Sequence, residues 1–201
     1  MSYANDYLKS IVDILNAVDR DQLEEMIALL LDIRKKGGRL FFIGVGGSAA
    51  NCAHAVNDFR KIGGFEAYSP VDNVAELTAR ANDEGWSTIF SGWLKGSRLN
   101  ANDGIMVFSV GGGNKEKNIS TNIVEALEYA QSQKAKIFGI VGRTGGYTPK
   151  VADVCIVMPA SQPNMLTPQA EAFQAIIWHM IVSDPRVMVM GNKWETTLSA
   201  K

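Results

Sequence analysis

The chain has 201 residues, of which 46% are hydrophobic, and it carries 20 Lys and Arg against 21 Asp and Glu. The apolar content excludes an intrinsically disordered chain, and the length excludes a disulfide-stapled miniprotein. A formal net charge of -1 lacks the basic excess typical of nucleic-acid-binding domains, so no nucleic-acid partner is expected.

The beginning of the chain and its two cysteines indicate a compartment. The opening MSYANDYLKS lacks the basic and apolar regions of a secretory signal peptide. No apolar run approaches the roughly 18 residues of a membrane span. Cys52 and Cys155 lie in apolar or helical contexts, which favours buried free thiols in a reducing compartment. We therefore expect a cytoplasmic protein with no membrane partner.

Residues 1–37 are predicted to form a pair of helices. Apolar residues recur at helical spacing, at Leu8, Ile11, Leu15 and Val18 and again at Leu23, Met26, Ile27, Leu30 and Leu31. Asp21 and Glu24 have the spacing of a capping box at the start of the second helix, and the glycines at 37–38 end it. The pair serves either packing or an oligomer interface, and the apolar stripe alone does not separate the two.

Strands and helices are then predicted to alternate. Strands are expected at residues 39–44, 67–71, 104–109, 136–142 and 154–158. Helices are expected at 49–62, 74–81 and 87–99, after the loop at 111–117 up to Gln131, and up to Ser183, the last with Thr167 as N-cap and Pro168 at the first helical position. This alternation predicts a parallel sheet covered by helices, and one α/β domain over residues 1–201.

Two glycine-rich loops follow predicted strands, at 44–48 and 109–114, and a third lies at 142–147. Ligands of open α/β sheets bind beyond the carboxyl ends of the strands, where glycine amides and helix N-termini can hold an anion. The first two loops favour a phosphorylated ligand over mere tight turns. Both the dinucleotide fingerprint and the P-loop lysine are absent, so a sugar phosphate fits better than a nucleotide. The candidate ligand-binding residues are Gly46, Gly47, Ser48, Ser109, Gly111, Gly112, Gly113 and Asn114.

The chain has only two histidines, and each has a carboxylate within reach on a predicted helix. His54 and Asp58 have i,i+4 spacing, and His179 follows Glu171 by two helical turns. Imidazole and carboxylate groups are the ligands that zinc and similar divalent metals accept. A metal site is therefore predicted, against the alternatives of a surface ion pair at His54 and a packed helix at His179.

Four motifs resemble the sugar isomerase (SIS) domain and, within it, the phosphoheptose (sedoheptulose 7-phosphate) isomerases. The resemblance covers nearly the whole chain and places Asn82 and Asp83 among the substrate-binding residues. The motifs are Gly44-Val-Gly-Gly-Ser-Ala-Ala, His54-x-x-x-Asp58, Leu77-Thr-Ala-Arg-Ala-Asn-Asp83, and Thr167-Pro-Gln-Ala-Glu171 through His179.

The resemblance implies a three-layer, doubly wound sheet of five parallel strands in a homotetramer with active sites at subunit interfaces. It implies interconversion of sedoheptulose 7-phosphate and D-glycero-D-manno-heptose 7-phosphate. Many family members hold zinc through four side chains, which fall by position on His54, Asp58, Glu171 and His179. The base and acid of the family fall on Asp58 and His179.

The chain departs from the family pattern in four places. Val45 replaces an Asn, Asp58 a Glu and Glu171 a Gln, and the Ser/Thr-rich phosphate loop becomes the glycine- and lysine-rich segment 109–118. We expect the two carboxylate changes to compensate each other in metal binding, or Glu171 to act as the base. The altered loop leaves open a different phosphosugar, a ligand without phosphate, or a non-catalytic SIS binding module.

Overall fold

The computed structural model describes residues 2–158, 163–191 and 193–198. It begins with two helices, α1 (Tyr3–Ala17) and α2 (Arg20–Lys35). The predicted capping box at Asp21 and Glu24 is wrong, because Asp19 is the N-cap of α2 and its carboxylate accepts from the amides of Asp21 and Gln22. Glu24 instead pairs with Arg186, at 2.8 Å.

The five predicted strands form one parallel sheet in the order β2-β1-β3-β4-β5. This arrangement confirms the fold class expected from the resemblance. Every residue of the central strand β3 is buried, as its continuous apolar sequence predicts for a strand covered on both faces. The strands are β1 (Arg39–Ile43), β2 (Glu66–Tyr68), β3 (Gly104–Ser109), β4 (Lys136–Val141) and β5 (Val154–Val157).

The remaining helices connect or follow the strands. They are α3 (Gly47–Lys61), α4 (Val74–Asp83), α5 (Ile89–Gly96), α6 (Thr121–Ser132), α7 (Tyr147–Val151), α8 (Leu166–Ser183) and α9 (Lys193–Leu198), with short 3-10 turns at Trp86–Thr88 and Pro163–Met165. Helices α7 and α9 were not predicted. The N-cap of α8 is Met165, so the predicted cap at Thr167 is wrong. Pro168 is the third residue of α8 and not the first as predicted, but it lies in the first turn, where a missing amide costs no helical hydrogen bond.

The helices cover the sheet on both faces. On one face, α2, α3 and α8 pack around Phe42 and Phe108, with Trp178 fully enclosed. On the other face, α5 and α6 pack around Phe41 and Val107. Within the described ranges, no helix is both long enough and apolar enough to cross a bilayer. The three layers leave the ends of the strands as the place where the loops can form a site.

Candidate metal centre and ligand-binding loops

The strand order places the first two glycine-rich loops side by side. Strand β1 lies between β2 and β3, so the chain changes direction across the sheet between β1 and β3. A crevice forms at such a switch point, beyond the carboxyl ends of the strands, and ligands bind there. The loops at 44–46 and 110–114 both begin at this edge, and a Cβ on Gly44 would lie 3.0 Å from the carbonyl oxygen of Phe108.

Helices α3 and α8 run side by side in the same direction. The side chain of Glu171, in the second turn of α8, contacts Gly47 at the start of α3. One turn further, Asn51 Nδ2 donates to Gln174 Oε1 at 2.8 Å. Two turns further, the rings of His54 and His179 lie 5.3 Å apart between centroids. The parallel packing therefore brings the two histidines together across more than a hundred residues of sequence.

His54, Asp58 and His179 form a compact cluster, with their ligand atoms all within 4.8 Å of one another. Asp58 Oδ2 lies 3.5 Å from His54 Nε2 and 3.4 Å from His179 Nε2. The Asp58 side chain is only 8% exposed, whereas the histidine side chains are 57% and 50% exposed. The cluster thus has a buried carboxylate at its base and two imidazoles open to solvent.

Neighbouring groups orient the cluster. His179 Nδ1 lies 2.8 Å from the carbonyl oxygen of Ala175, and a proton on Nδ1 leaves the Nε2 lone pair facing Asp58. Trp178 Nε1 donates to Asp58 Oδ2 at 3.0 Å, and Asn57 Nδ2 donates to Oδ1 at 2.9 Å. Contacts of this kind hold metal ligands in place in characterised sites.

The donor set suits a divalent transition metal. Two imidazole nitrogens and one carboxylate oxygen are a ligand set that catalytic sites use, with a further position open to substrate. The residues that could hold such an ion are His54, Asp58 and His179.

The fourth predicted ligand, Glu171, lies apart from this cluster. Its carboxylate fills the space above Gly47, where an added Cβ would be 2.6 Å from Glu171 Cδ. Gly47 precedes His54 by seven residues, or roughly 10 Å along α3. The structure therefore brings together three of the four predicted ligands and places the fourth at the N-terminus of α3.

The first glycine-rich loop and the start of α3 pack against α8. Gly46 is the N-cap of α3 and has a φ of 64°, a conformation that favours glycine. Ser48 is buried, and its hydroxyl oxygen accepts from Gln174 Nε2 at 3.0 Å. This bond holds α3 against α8 and uses the Ser48 hydroxyl only as an acceptor, so the donor role predicted for Ser48 stays a prediction.

The second glycine-rich loop is braced by α7. Ser109 Oγ accepts from the amide of Gly112 at 3.0 Å. The carbonyl oxygen of Gly112 accepts from the Thr148 amide at 2.8 Å and from Thr148 Oγ1 at 2.9 Å. Gly112 and Gly113 have φ values of 72° and 73°, which only glycine adopts without strain. The bend at 111–113 is therefore fixed from behind.

A small hairpin separates this loop from α6. The amide of Asn114 donates to the Ile119 carbonyl at 2.8 Å, and the amide of Ile119 donates back at 3.0 Å. Helix α6 then begins at Thr121, after Ser120 in a left-handed conformation. The loop was predicted to lead directly into the helix, and the hairpin between Asn114 and Ile119 was not predicted.

A further candidate residue that the sequence patterns do not identify is Asn122, in the first turn of α6. Asn122 is completely buried, and within residues 2–158, 163–191 and 193–198 its Nδ2 has no hydrogen-bond partner. The preceding Ser-Thr pair has the composition of a helix start, which could have indicated Asn122 as a candidate.

The predicted ligand residues Asn82 and Asp83 are exposed at the end of α4. There Asn82 Nδ2 donates to the Asp83 carboxylate at 2.8 Å.

The sheet order, the paired glycine loops and the cluster of His54, Asp58 and His179 define an α/β protein with glycine-rich loops at the ends of its strands and a candidate metal centre between α3 and α8. Residues 6–142 match the profile of the SIS domain, and the chain belongs to the SIS domain family.

Relatives and solved structures agree with this membership. The phosphoheptose isomerase of Akkermansia muciniphila is 31% identical over 149 residues, covering 71% of this chain and 74% of that protein. The phosphoheptose isomerase of Aneurinibacillus thermoaerophilus is 26% identical over 204 residues, covering 94% of this chain and 98% of that protein. A phosphoheptose isomerase structure from Francisella tularensis superposes with a TM-score of 0.77 at 20% identity, covering 90% of this chain and 97% of that one.

Proposed function

We propose that this protein is an aldose–ketose isomerase that interconverts sedoheptulose 7-phosphate and D-glycero-D-manno-heptose 7-phosphate. The observation that carries the proposal is the His54, Asp58 and His179 cluster in a chain whose relatives include phosphoheptose isomerases. A module that only binds sugar phosphates has no need of two histidines oriented around a buried carboxylate.

The reaction moves a carbonyl group between neighbouring carbons. A base takes a proton from the carbon beside the carbonyl and returns it to the other carbon, through an enediol. Asp58 is assigned as this base, with Glu171 as the alternative, and His179 as the group that exchanges a proton with the substrate oxygen. A misplacement of about 1 Å can cost a hundredfold in rate, so the contacts of Asn57 and Trp178 with Asp58 bear directly on the rate.

We propose zinc, or a related divalent metal, as the cofactor. His54, Asp58 and His179 would hold it, and a bound cation stabilises negative charge that develops on the substrate oxygens. The resemblance implies that Glu171 is a metal ligand. We propose instead that its carboxylate, which lies at the start of α3, faces the substrate.

We propose that the substrate phosphate binds at the second glycine-rich loop and the start of α6. Backbone amides and the helix N-terminus favour an anion there, and the buried Asn122 side-chain amide, which has no partner among the described residues, is a donor nearby in sequence. Helix α3 already has the Glu171 carboxylate at its N-terminus, so a second anion is disfavoured there.

We propose that the chain forms one SIS domain over residues 1–201 and assembles as a cytoplasmic homotetramer. Ile14 of α1 and Met26 of α2 belong to the same core as the sheet. The outer face of α1 exposes Leu8, Val12 and Leu15, an apolar stripe that suits a subunit contact.

The test is conversion of sedoheptulose 7-phosphate by purified protein loaded with Zn²⁺, followed by separation of the two heptose phosphates. Asp58→Asn and His179→Gln should lose at least a hundredfold in kcat/KM. Asp32→Asn removes an exposed carboxylate paired only with Lys36 and should match the parent. If the protein converts only a different ketose phosphate, the proposed substrate is wrong. If it binds ketose phosphates but converts none of those tested, it is a sugar-phosphate-binding module and the proposed activity is wrong.

A further inference from the structure

Trp178 provides a buried polar contact to the metal-competent cluster. Its side chain is almost fully enclosed, and its ring stacks on Phe108 of β3 with 5.8 Å between centroids. The same ring lies 5.3 Å from the ring of His54 and 4.8 Å from that of His179. Its single polar atom, Nε1, donates to Asp58 Oδ2. The indole therefore joins the sheet to the base of the cluster.

We propose that Trp178 is a positioning residue that sets which oxygen of Asp58 faces the two histidines. Oδ2 is the oxygen that contacts both Nε2 atoms, and it is also the oxygen that accepts from the indole. Asn57 holds Oδ1, so the two donors together fix the rotation of the carboxylate. The inference rests on the proposed metal-dependent function.

The rigidity of the indole favours this role over simple packing. Stacked on the sheet, Trp178 occupies one orientation, so its N–H defines one point in space for the carboxylate oxygen. A buried tryptophan N–H needs an acceptor, and here the acceptor is the one carboxylate of the cluster. Outer hydrogen bonds to ligating groups commonly account for 10- to 100-fold in metal affinity.

Trp178→Phe removes the N–H and keeps an aromatic ring, and Trp93→Phe is the matched control. Trp93 packs on Phe41, on the opposite face of the sheet. Calorimetric titration with Co²⁺ should show 10- to 100-fold weaker binding for Trp178→Phe, with an altered visible spectrum of the bound Co²⁺. Trp93→Phe should bind within about twofold of the parent.

A double variant separates positioning from packing. If Trp178 acts through Asp58, then Asp58→Asn combined with Trp178→Phe binds Co²⁺ no more weakly than Asp58→Asn alone. Unchanged affinity and spectrum in Trp178→Phe would overturn the proposal, as would fully additive losses in the double variant or a parent protein that binds no Co²⁺. Altered Co²⁺ binding in a protein that turns over no sugar phosphate would leave this inference standing and refute the proposed function.

The parent protein offers a second measurement should Trp178→Phe fail to fold. With 15N-labelled tryptophan, the Trp178 indole proton should exchange with solvent at least tenfold more slowly than in Asp58→Ala. Equal exchange in the two proteins would also overturn the proposal.

Discussion

The Glu171 carboxylate lies directly over Gly47, in space that any larger residue at position 47 would fill. The first glycine-rich loop thus accommodates a side chain of the protein itself. Because the N-terminus of a helix carries partial positive charge, it attracts the negative carboxylate of Glu171. Gly47 and Glu171 therefore act as a pair, and changing either alters the same part of the crevice.

Gly47→Ala is expected to displace the Glu171 carboxylate without unfolding the protein. The overlapping atoms are at the end of a flexible side chain, so we expect a loss of stability of about 1 kcal/mol or less. The proposed substrate-facing role of Glu171 predicts that the rate falls about tenfold or more, because its carboxylate is displaced. Thermal denaturation and steady-state kinetics measure the two effects. Adding Gly47→Ala to Glu171→Ala should cause no further loss, and an additive loss would contradict the pairing.

Gly146→Ala is expected to disturb the second glycine-rich loop. A Cβ there would overlap the carbonyl oxygen of Gly111 and lie 3.0 Å from Gly112 Cα, so the backbone of the loop must move. The KM for the phosphosugar should rise about tenfold, with roughly 1–3 kcal/mol of destabilisation from the forced contact. Gly145→Ala is the control, because nothing lies within 4 Å of its Cβ position. Equal KM values for the two variants would argue against phosphate binding at this loop.

Asp103→Ala is expected to destabilise the sheet without affecting the cluster. The Asp103 carboxylate accepts from the Arg39 amide at 2.9 Å and from Arg39 Nη2 at 2.7 Å, and it holds the pKa of the Arg39 guanidinium above its usual value. Its side chain is 2% exposed, so its removal leaves buried donors without an acceptor. A loss of about 3 kcal/mol is expected in urea denaturation. Metal affinity of the folded variant should equal that of the parent.

The two thiols are expected to resist alkylation until the protein unfolds. Burial raises the pKa of Cys155 from 9.0 to about 12 and raises that of Cys52 as well. Iodoacetamide at pH 8 should therefore label both cysteines rapidly only in denaturant. Rapid labelling of Cys52 in the native protein would show that α3 opens.

The same pKa shifts predict lower stability in alkaline solution. The unfolded thiols ionise near pH 9, whereas the folded thiols stay neutral, so stability falls as the pH rises from 9 towards 12. Cys155→Ser should lessen this fall in melting temperature. If the melting temperature of Cys155→Ser falls with pH as steeply as that of the parent, the Cys155 thiol is not a cause of the alkaline loss of stability.

The sequence predicts this fold well where a local pattern determines it. Continuous apolar runs such as 104–109 correspond to buried strands, and alternation with helices leaves a covered parallel sheet as the expected arrangement. The predicted starts of α2 and α8 each lie two residues too far along the chain. At α2, two aspartates compete for the same amides, and only geometry selects Asp19 over Asp21.

The candidate site is predictable in its members but less so in their arrangement. Spacing identified His54, Asp58 and His179, and only the parallel packing of α3 on α8 brings them together. The position of Glu171 depends on the space above Gly47, a tertiary property that helical spacing does not contain. Sequence spacing does not indicate the hydrogen bond from Trp178 to Asp58, because the two residues are 120 positions apart.

The hairpin closed between Asn114 and Ile119 has a consequence for how this chain can diversify. Its two ends are tied to each other, so residues 115–118 form an interchangeable segment between two fixed anchor points. Doubling the length of such a segment costs only about 0.6 kcal/mol in closure entropy. New residues can therefore be introduced beside the proposed phosphate site while the glycine bend and the start of α6 keep their positions.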